Sequence, residues 1–378
     1  MTTYLDSTAT TKPTDLALRS FNEISRNCWG NPSSTLYEFG ADAKRKLNDC
    51  RKVIATLIHA KPEQIIFTSG STEAANTIIQ GYIPRGREKD YIIITSPIEH
   101  PAVSQTVQYM QSCGVKVFKL SCSHNGLVNT CELKYYLDNF YMYNILVCIM
   151  DANNEIGCVQ PTVEIAKIIH QYPNVRLFTD MTQSFAHSRI YGTDELNYDF
   201  ACASAQKFGG LKGTGFLYAK NPNDITPLIY GGGQEFGKRS GTENLAGIYS
   251  MTMQFIDSCI KREQEQEKIE SLNIYLRNKL GEIKCEIVSN KDNALPNILS
   301  VFLIDDVDAQ EIVSLLDLNK IMLSVGSACS TNKDIPSKTL ISIGFSPEES
   351  KRVLRISLNA NLTTDDIDYF IDKLKGVL

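Results

Sequence analysis

Seven short apolar runs mark the first two-thirds of the chain, at residues 64–68, 91–95, 115–120, 145–151, 176–180, 200–205 and 215–219. Several are apolar throughout instead of alternating with polar positions. A strand of that kind is buried on both faces, which predicts a mostly parallel sheet covered by helices. Between the runs, Ala43, Leu47, Cys50, Ile54, Leu57 and Ile58 recur at helical spacing. Pro161 opens a further helix over residues 162–170. Strands alternating with helices make this region α/β.

After Gly247 the pattern changes. A charged helical stretch at 261–280 precedes an apolar run at 298–303. Asp308, with Glu311 three residues on, has capping-box spacing, and a last helix is expected near 365–374. We therefore expect a large domain over 15–255 and a smaller α+β domain over 256–378. Composition does not decide where residues 1–14 pack; they are assigned to the small domain.

The length of 378 residues agrees with two lobes, because one hydrophobic core rarely grows that large. A net charge of −5 gives no footprint for a nucleic-acid partner. The N-terminal MTTYLDSTATTKP lacks the basic start and apolar stretch of a secretory signal, and the longest apolar runs fall far short of a membrane span. The 11 cysteines include no CxxC pair, which argues against a disulfide scaffold or a structural zinc site and for a reducing cytoplasm.

Candidate chemistry lies where apolar runs give way to glycine and hydroxyl residues. In FTSGSTEAA, a strand breaks at Gly70 and enters a helix. Its free N–H groups, with Ser71 and Thr72, form either a phosphate cup or an ordinary N-cap. In LFTDMTQS, Asp180 ends an apolar strand, where a carboxylate needs a partner; a protonated ring nitrogen would serve, as would a helix cap. Lys207, in SAQKFGGLKGTG, follows a strand among small residues. Buried, it would be a nucleophilic amine; exposed, it is a surface charge.

The segment GGGQEFGKRSGTEN imitates a P-loop but places Arg239 where a magnesium-binding hydroxyl belongs. It is a poor nucleotide site that still offers Lys238, Arg239 and Thr242 to an anion. Cys329, in SVGSACSTNKD, sits among small polar residues, the setting of an accessible thiol or of a chance loop cysteine. His100 follows a strand in IEHPAV, and Arg355 stands alone in the apolar VLRISL, suited to a ligand carboxylate or an internal ion pair.

Together and in this order, these motifs resemble the cysteine desulfurases, in the class-V aminotransferase-like group of pyridoxal 5'-phosphate enzymes. The matching stretches are YLDSTATT, WGNPSS, FTSGSTEAANT, IEHPAV, ANNEIGCVQP, TDMTQS, SAQKFGGLKGTG, GGGQEFGKRSGTEN, SVGSACS and RISL, from residue 4 to residue 358. GSACS with its short following segment looks like the branch serving iron–sulfur assembly and tRNA thiolation. The resemblance implies a fold type I enzyme in which Lys207 carries pyridoxal phosphate as a Schiff base, Asp180 pairs with the ring nitrogen and His100 stacks on the ring. Asn154 and Gln183 would bond the ring hydroxyl. Thr72, Ser204, Gln206 and the Ser71 backbone would bind phosphate, with Thr242 reaching in from the other subunit of a homodimer. Arg355, helped by Asn154, would hold the carboxylate of L-cysteine, and Cys329 would accept its sulfur as a persulfide for an iron–sulfur scaffold or a thiolation enzyme.

Three positions depart from the usual family pattern: Gln206 replaces a histidine, Ser7-Thr8 an Asn-Asn pair, and Asn359 a glycine. Glutamine can donate to phosphate but carries no charge. Selenocysteine lysis, another pyridoxal-phosphate C–S cleavage, and a non-catalytic scaffold homologue are the alternative readings. Cys329 argues against simple elimination, which needs no acceptor thiol.

Overall fold

The computed structural model describes residues 2–185, 198–326 and 336–378. All seven apolar runs become strands of one sheet, in the order Ile65–Thr68, Gly215–Ala219, Phe200–Ser204, Val175–Asp180, Asn144–Cys148, Tyr91–Thr95 and Lys116–Lys119. Adjacent strands are parallel except around Gly215–Ala219, which runs antiparallel to both of its neighbours. The run at 115–120 forms the edge strand, and lysines at both ends of Lys116–Lys119 suit that place.

The uniformly apolar pattern follows from the two covered faces. Ile65, Phe67, Ile92, Ile94, Ala201 and Ala203 point into one core with the helix Glu38–Leu57. Ile66, Ile93, Phe200 and Cys202 point into the opposite core with the helices Ser71–Tyr82 and Pro101–Ser112. Alternate residues thus enter different cores, and neither face can be polar.

The second sheet has four antiparallel strands, in the order Ser324–Val325, Val353–Ser357, Ile298–Leu303 and Cys285–Ile287. The N-terminal Thr3–Tyr4 pairs in parallel with Ile321–Met322, and Leu5 enters the core beneath that sheet. The charged stretch expected at 261–280 is the second half of one helix, Leu245–Leu280. Leu245, Ile248, Met251 and Phe255 pack in the large core, whereas Ile269, Leu272, Leu276 and Leu280 pack in the small one. Gly247, where the sequence pattern changes, lies in the first turn and donates its N–H to the capping Asn244 Oδ1 at 3.1 Å. Asp308 caps Ala309–Leu318 by accepting from the Gln310 N–H. The last helix is Thr364–Val377, and among the described residues no helix is long and apolar enough to cross a membrane. The fold is α/β with a large, mostly parallel sheet and a smaller antiparallel one.

Candidate active site

The carboxyl ends of the parallel strands open onto one cavity of about 250 Å³, the usual place for a site in an open α/β sheet. Thr68 leads to Ser71 and Thr72, Thr95 to His100, Cys148 to Asn154, Asp180 to Gln183, and Ser204 to Gln206 and Lys207. Arg355 enters from the small sheet, and Thr8 and Ala9 from the N-terminal segment. Every residue that the resemblance assigns to cofactor or substrate lines this cavity except Thr242, and Lys238 and Arg239 also lie outside it.

Asp180 is 5% exposed, and its Oδ1 accepts from the Thr182 N–H at 3.0 Å, from the Thr182 hydroxyl and from the Cys202 thiol at 3.3 Å. Burial, reinforced by Asp180, pushes the Cys202 thiol well above its ordinary pKa, so it stays protonated and donates. All three bonds fall on Oδ1, leaving Oδ2 for a cation in the cavity. His100 Nδ1 accepts the Ala102 N–H at 3.1 Å, capping the helix Pro101–Ser112. Burial lowers its pKa and Lys207 adds to that, against the pull of Asp180. The ring is therefore neutral, with its proton on Nε2.

The helix Ser71–Tyr82 starts at Gly70 without a side-chain cap, so the N–H groups of its first turn are available to a ligand. Gly70 adopts φ +148°, and a β-carbon on Gly215 would lie 2.6 Å from Gly70 Cα. Two glycines let these backbones touch, and that contact sets the height of the turn above the sheet. A β-carbon on Gly70 would lie 3.2 Å from Ser204 Oγ, and the Ser71 and Thr182 hydroxyl oxygens lie 2.7 Å apart, within hydrogen-bond distance. The structure thus gathers Ser71, Thr72 and Ser204 at one end of the cavity and Asp180 beside them.

Lys207 sits in a short 3-10 turn after Phe200–Ser204, and its Nζ donates to the carbonyls of Thr8 at 2.7 Å and Ala9 at 2.8 Å. Gln183 Nε2 donates to the same Thr8 carbonyl at 3.3 Å. The Gln206 carbonyl accepts from the N–H and hydroxyl of Thr11, which fixes its backbone while its side chain lines the cavity. Arg355 is 1% exposed; its Nη2 donates to Asp6 Oδ1 at 2.9 Å and Ser324 Oγ at 2.7 Å, and its Nη1 to the Asn154 carbonyl at 3.1 Å. Arg355 thus has the internal ion pair and also lines the cavity. Nε is buried without a partner, and one Nη1 hydrogen stays open.

Thr242 is exposed and outside the cavity of its own chain. The anion-binding reading of Lys238 and Arg239 is corrected. Lys238 Nζ donates to the Ile225 carbonyl at 3.0 Å, and Arg239 pairs with Glu73 at 2.9 Å. Cys329 lies outside the described residues. Sequence reasoning passed over Cys202, Thr182, Asp6 and the Thr8 and Ala9 carbonyls. Their partners stand far along the chain or depend on the turn after Asp180, and only the Asp-x-Thr spacing of Asp180 and Thr182 was visible locally.

The aminotransferase class-V family model matches residues 3–370. "Cysteine desulfurase IscS" of Dictyoglomus turgidum is 34% identical over 377 residues, 99% of this chain and 94% of its own. A solved "NifS-like protein" superposes with a TM-score of 0.92 at 30% identity, over 100% of this chain and 99% of its own. SspA, solved in complex with cysteine, matches with a TM-score of 0.83 at 29% identity, over 95% and 99% of the two chains. The chain belongs to the class-V aminotransferase family, whose members use pyridoxal phosphate, and within it to the cysteine desulfurases.

Proposed function

We propose that this protein converts L-cysteine to L-alanine and holds the sulfur as a persulfide on Cys329 for delivery to an acceptor protein. The observation that carries the reading is the convergence of Lys207, Asp180 and an uncapped helix N-terminus on one cavity. A cation-seeking carboxylate oxygen, an amine and anion-binding N–H groups match the ring nitrogen, aldehyde and phosphate of pyridoxal phosphate. The buried Thr8 hydroxyl oxygen, which has no partner, adds an unfilled polar position in the same wall.

Lys207 would hold the cofactor covalently, Asp180 its ring nitrogen, His100 its face, and Asn154 with Gln183 its ring hydroxyl. Thr72, Ser204, Gln206 and the Ser71 backbone would hold the phosphate, with Thr242 of a second copy completing the site in a homodimer. Pyridoxal phosphate supplies an aldehyde for amine capture and a ring that withdraws electrons from the substrate carbons. Arg355 orients the substrate carboxylate, with Asn154 beside it. The freed Lys207 amine takes and returns the α-proton, and His100 Nε2–H serves as a neutral donor in the same space. The Cys329 thiolate attacks the substrate sulfur. The carbon–sulfur bond breaks, its electron pair stays with carbon, and a proton completes the methyl group of alanine. No external oxidant or reductant is required.

A division into 15–255, and 1–14 with 256–378, is supported by the two cores and by the pairing of Thr3–Tyr4 with Ile321–Met322. We assign the acceptor to the class of iron–sulfur scaffolds or thiolation enzymes, and the setting to the cytoplasm. The test is single turnover of the cofactor-loaded protein with L-cysteine, measuring alanine together with the mass of the Cys329 peptide. Equal yields of alanine and of a one-sulfur mass gain are expected. Full alanine production by Cys329→Ser without reductant would overturn the reading.

A further inference from the structure

Arg239, in the glycine-rich segment, gives its charge to a carboxylate that lines the cofactor cavity. That carboxylate belongs to Glu73, in the first turn of the helix Ser71–Tyr82, whose N–H groups are open to a ligand. Glu73 Oε1 accepts from Arg239 Nε at 2.9 Å, and Oε2 lies 3.5 Å from Arg239 Nη2. Oε2 also accepts the Ser69 N–H at 3.0 Å. The carboxylate thus braces the turn between Thr68 and the helix, and the guanidinium meets it side-on.

The backbone on both sides of Arg239 is anchored. The Lys238 N–H donates to the Glu235 carbonyl at 3.0 Å and the Ser240 N–H to the Ile229 carbonyl at 3.1 Å, while the Gly241 N–H donates to Gln234 Oε1 at 2.9 Å. The side chains of Arg239 and Glu73 are 25% and 10% exposed, so solvent ions screen the pair only in part. Burial opposes ionisation of Glu73, but Arg239 and Ser69 outweigh it and hold the carboxyl below its ordinary pKa. At neutral pH it is therefore charged.

A bare carboxylate at this end of the cavity would repel a phosphate. Ser71, Thr72, Ser204 and Gln206, read as the phosphate-binding residues, carry no charge to offset it. Among the described residues lining the cavity, Glu73 and Asp180 are the acidic ones. Asp180 suits a ring cation, whereas Glu73 takes its counter-charge from Arg239, which stands outside the cavity. We propose that Arg239 is a positioning residue for the cofactor phosphate, neutralising Glu73 so that this carboxylate can brace the phosphate turn without repelling the phosphate. The inference rests on the reading of that turn as the phosphate site of pyridoxal phosphate.

The experiment compares wild type, Arg239→Met, Arg239→Lys, Glu73→Gln and the Glu73→Gln/Arg239→Met double variant. Each unloaded protein is titrated with pyridoxal phosphate and with pyridoxal, which has the same ring and aldehyde but no phosphate, and the band of the lysine-bound form is followed. Arg239→Met should bind pyridoxal phosphate about tenfold or more weakly, the order expected of one uncompensated charge in partly buried surroundings, with pyridoxal within about threefold of wild type. Arg239→Lys keeps the charge and should retain most of the affinity. Glu73→Gln still accepts the Ser69 N–H but carries no charge, so it should bind pyridoxal phosphate at least as tightly as wild type. The double variant should return to within about threefold of wild type, on the same charge argument.

Equal losses for both aldehydes in Arg239→Met, or a double variant no tighter than Arg239→Met, overturn the proposal. If Arg239→Met does not fold, Glu73→Gln decides, and a loss of about tenfold there overturns it. If wild type forms no band with either aldehyde, the cofactor reading falls. The pair is then decided by the rise in melting temperature that inorganic phosphate gives the unloaded proteins. That rise should appear in wild type and the double variant and be lost in Arg239→Met; no rise in wild type, or the same rise in all three, overturns the proposal.

Discussion

Lys207 Nζ lies 2.7 Å from the carbonyl oxygen of Thr8, which joins the end of a central strand to the N-terminal segment. The Ala9 carbonyl completes a two-acceptor seat at 2.8 Å. Without a cofactor, this seat suits the protonated amine and ties residues 8–9 to the sheet. Lys207→Ala should lack the visible band of the lysine-bound cofactor after incubation with pyridoxal phosphate. The unloaded variant should also lose about 1.5–3 kcal/mol against unloaded wild type, the usual scale for hydrogen bonds from a charged donor. Urea unfolding of the two unloaded proteins checks the second figure; equal midpoints would show that the seat adds nothing to stability.

Arg355 and Asp6 make a second long-range pair, and Ser324 donates to the same Asp6 oxygen at 2.8 Å. This arrangement leaves two guanidinium donors, Nε–H and one on Nη1, untaken. Arg355→Lys keeps the charge but loses the planar fork. It should raise KM for L-cysteine by about 30-fold or more, as expected for a carboxylate contact of about 2 kcal/mol, with little change in the cofactor band. Asp6→Asn should raise KM less, because Ser324 and the Asn154 carbonyl still hold Arg355. Steady-state kinetics with spectra on the same samples separates binding from cofactor loss, and an unchanged KM in Arg355→Lys would remove Arg355 from the substrate site.

The large sheet was legible because each strand is buried on both faces, and that condition writes itself into consecutive residues such as Ile92, Ile93 and Ile94. The site was legible wherever a strand end carried its chemistry locally, as at Asp180 and Lys207. It was not legible where the partner is distant. Lys238 and Arg239 read as anion-binding beside a run of glycines, yet their charges go to Ile225 and Glu73 from other parts of the chain. Asn359, a departure from the family pattern, donates to the Tyr4 carbonyl at 3.2 Å and helps hold the N-terminal segment. The Glu155 carboxylate showed no partner in its own motif, because the hydroxyls that donate to it, on Ser337 and Thr339, stand more than a hundred residues away.

The glycine-rich segment instead depends on a buried ion pair. Arg51 and Glu235, each 4% exposed, meet through two contacts, and Glu235 Oε2 also accepts the Phe67 N–H at 2.7 Å. Glu235 and Phe236 both adopt positive φ, at +51° and +57°, which costs energy in residues other than glycine. Arg51 also lies over the rings of Phe67 and Phe236 at 4.7 and 4.8 Å. Arg51→Met leaves a carboxylate buried without its counter-charge and should cost about 3–5 kcal/mol. Adding Glu235→Gln should recover a substantial part of that loss, giving a clear coupling in a double-mutant cycle of urea unfolding. Additive losses would mean that the two charges are not paired in solution.

Glu99 stands directly before His100, yet its carboxyl is buried behind the cavity. Oε1 accepts from the Ser96 hydroxyl at 2.5 Å and the Met150 N–H at 2.9 Å, while Oε2 is buried without a partner. Burial, with a smaller push from Asp180, raises its pKa from the ordinary 4.5 to about 8. The folded protein therefore keeps a proton that the unfolded chain releases. The stabilising contribution is full below pH 4.5, declines as the pH rises towards 8, and levels off above it. Glu99→Gln retains the Oε1 acceptor and does not titrate. The variant should thus gain stability relative to wild type across that window, and by the largest margin above it. Melting temperatures of both proteins from about pH 5 to about pH 9 measure the difference. Parallel curves would show that Glu99 is ionised in the folded protein throughout, with a cation or water beside Oε2.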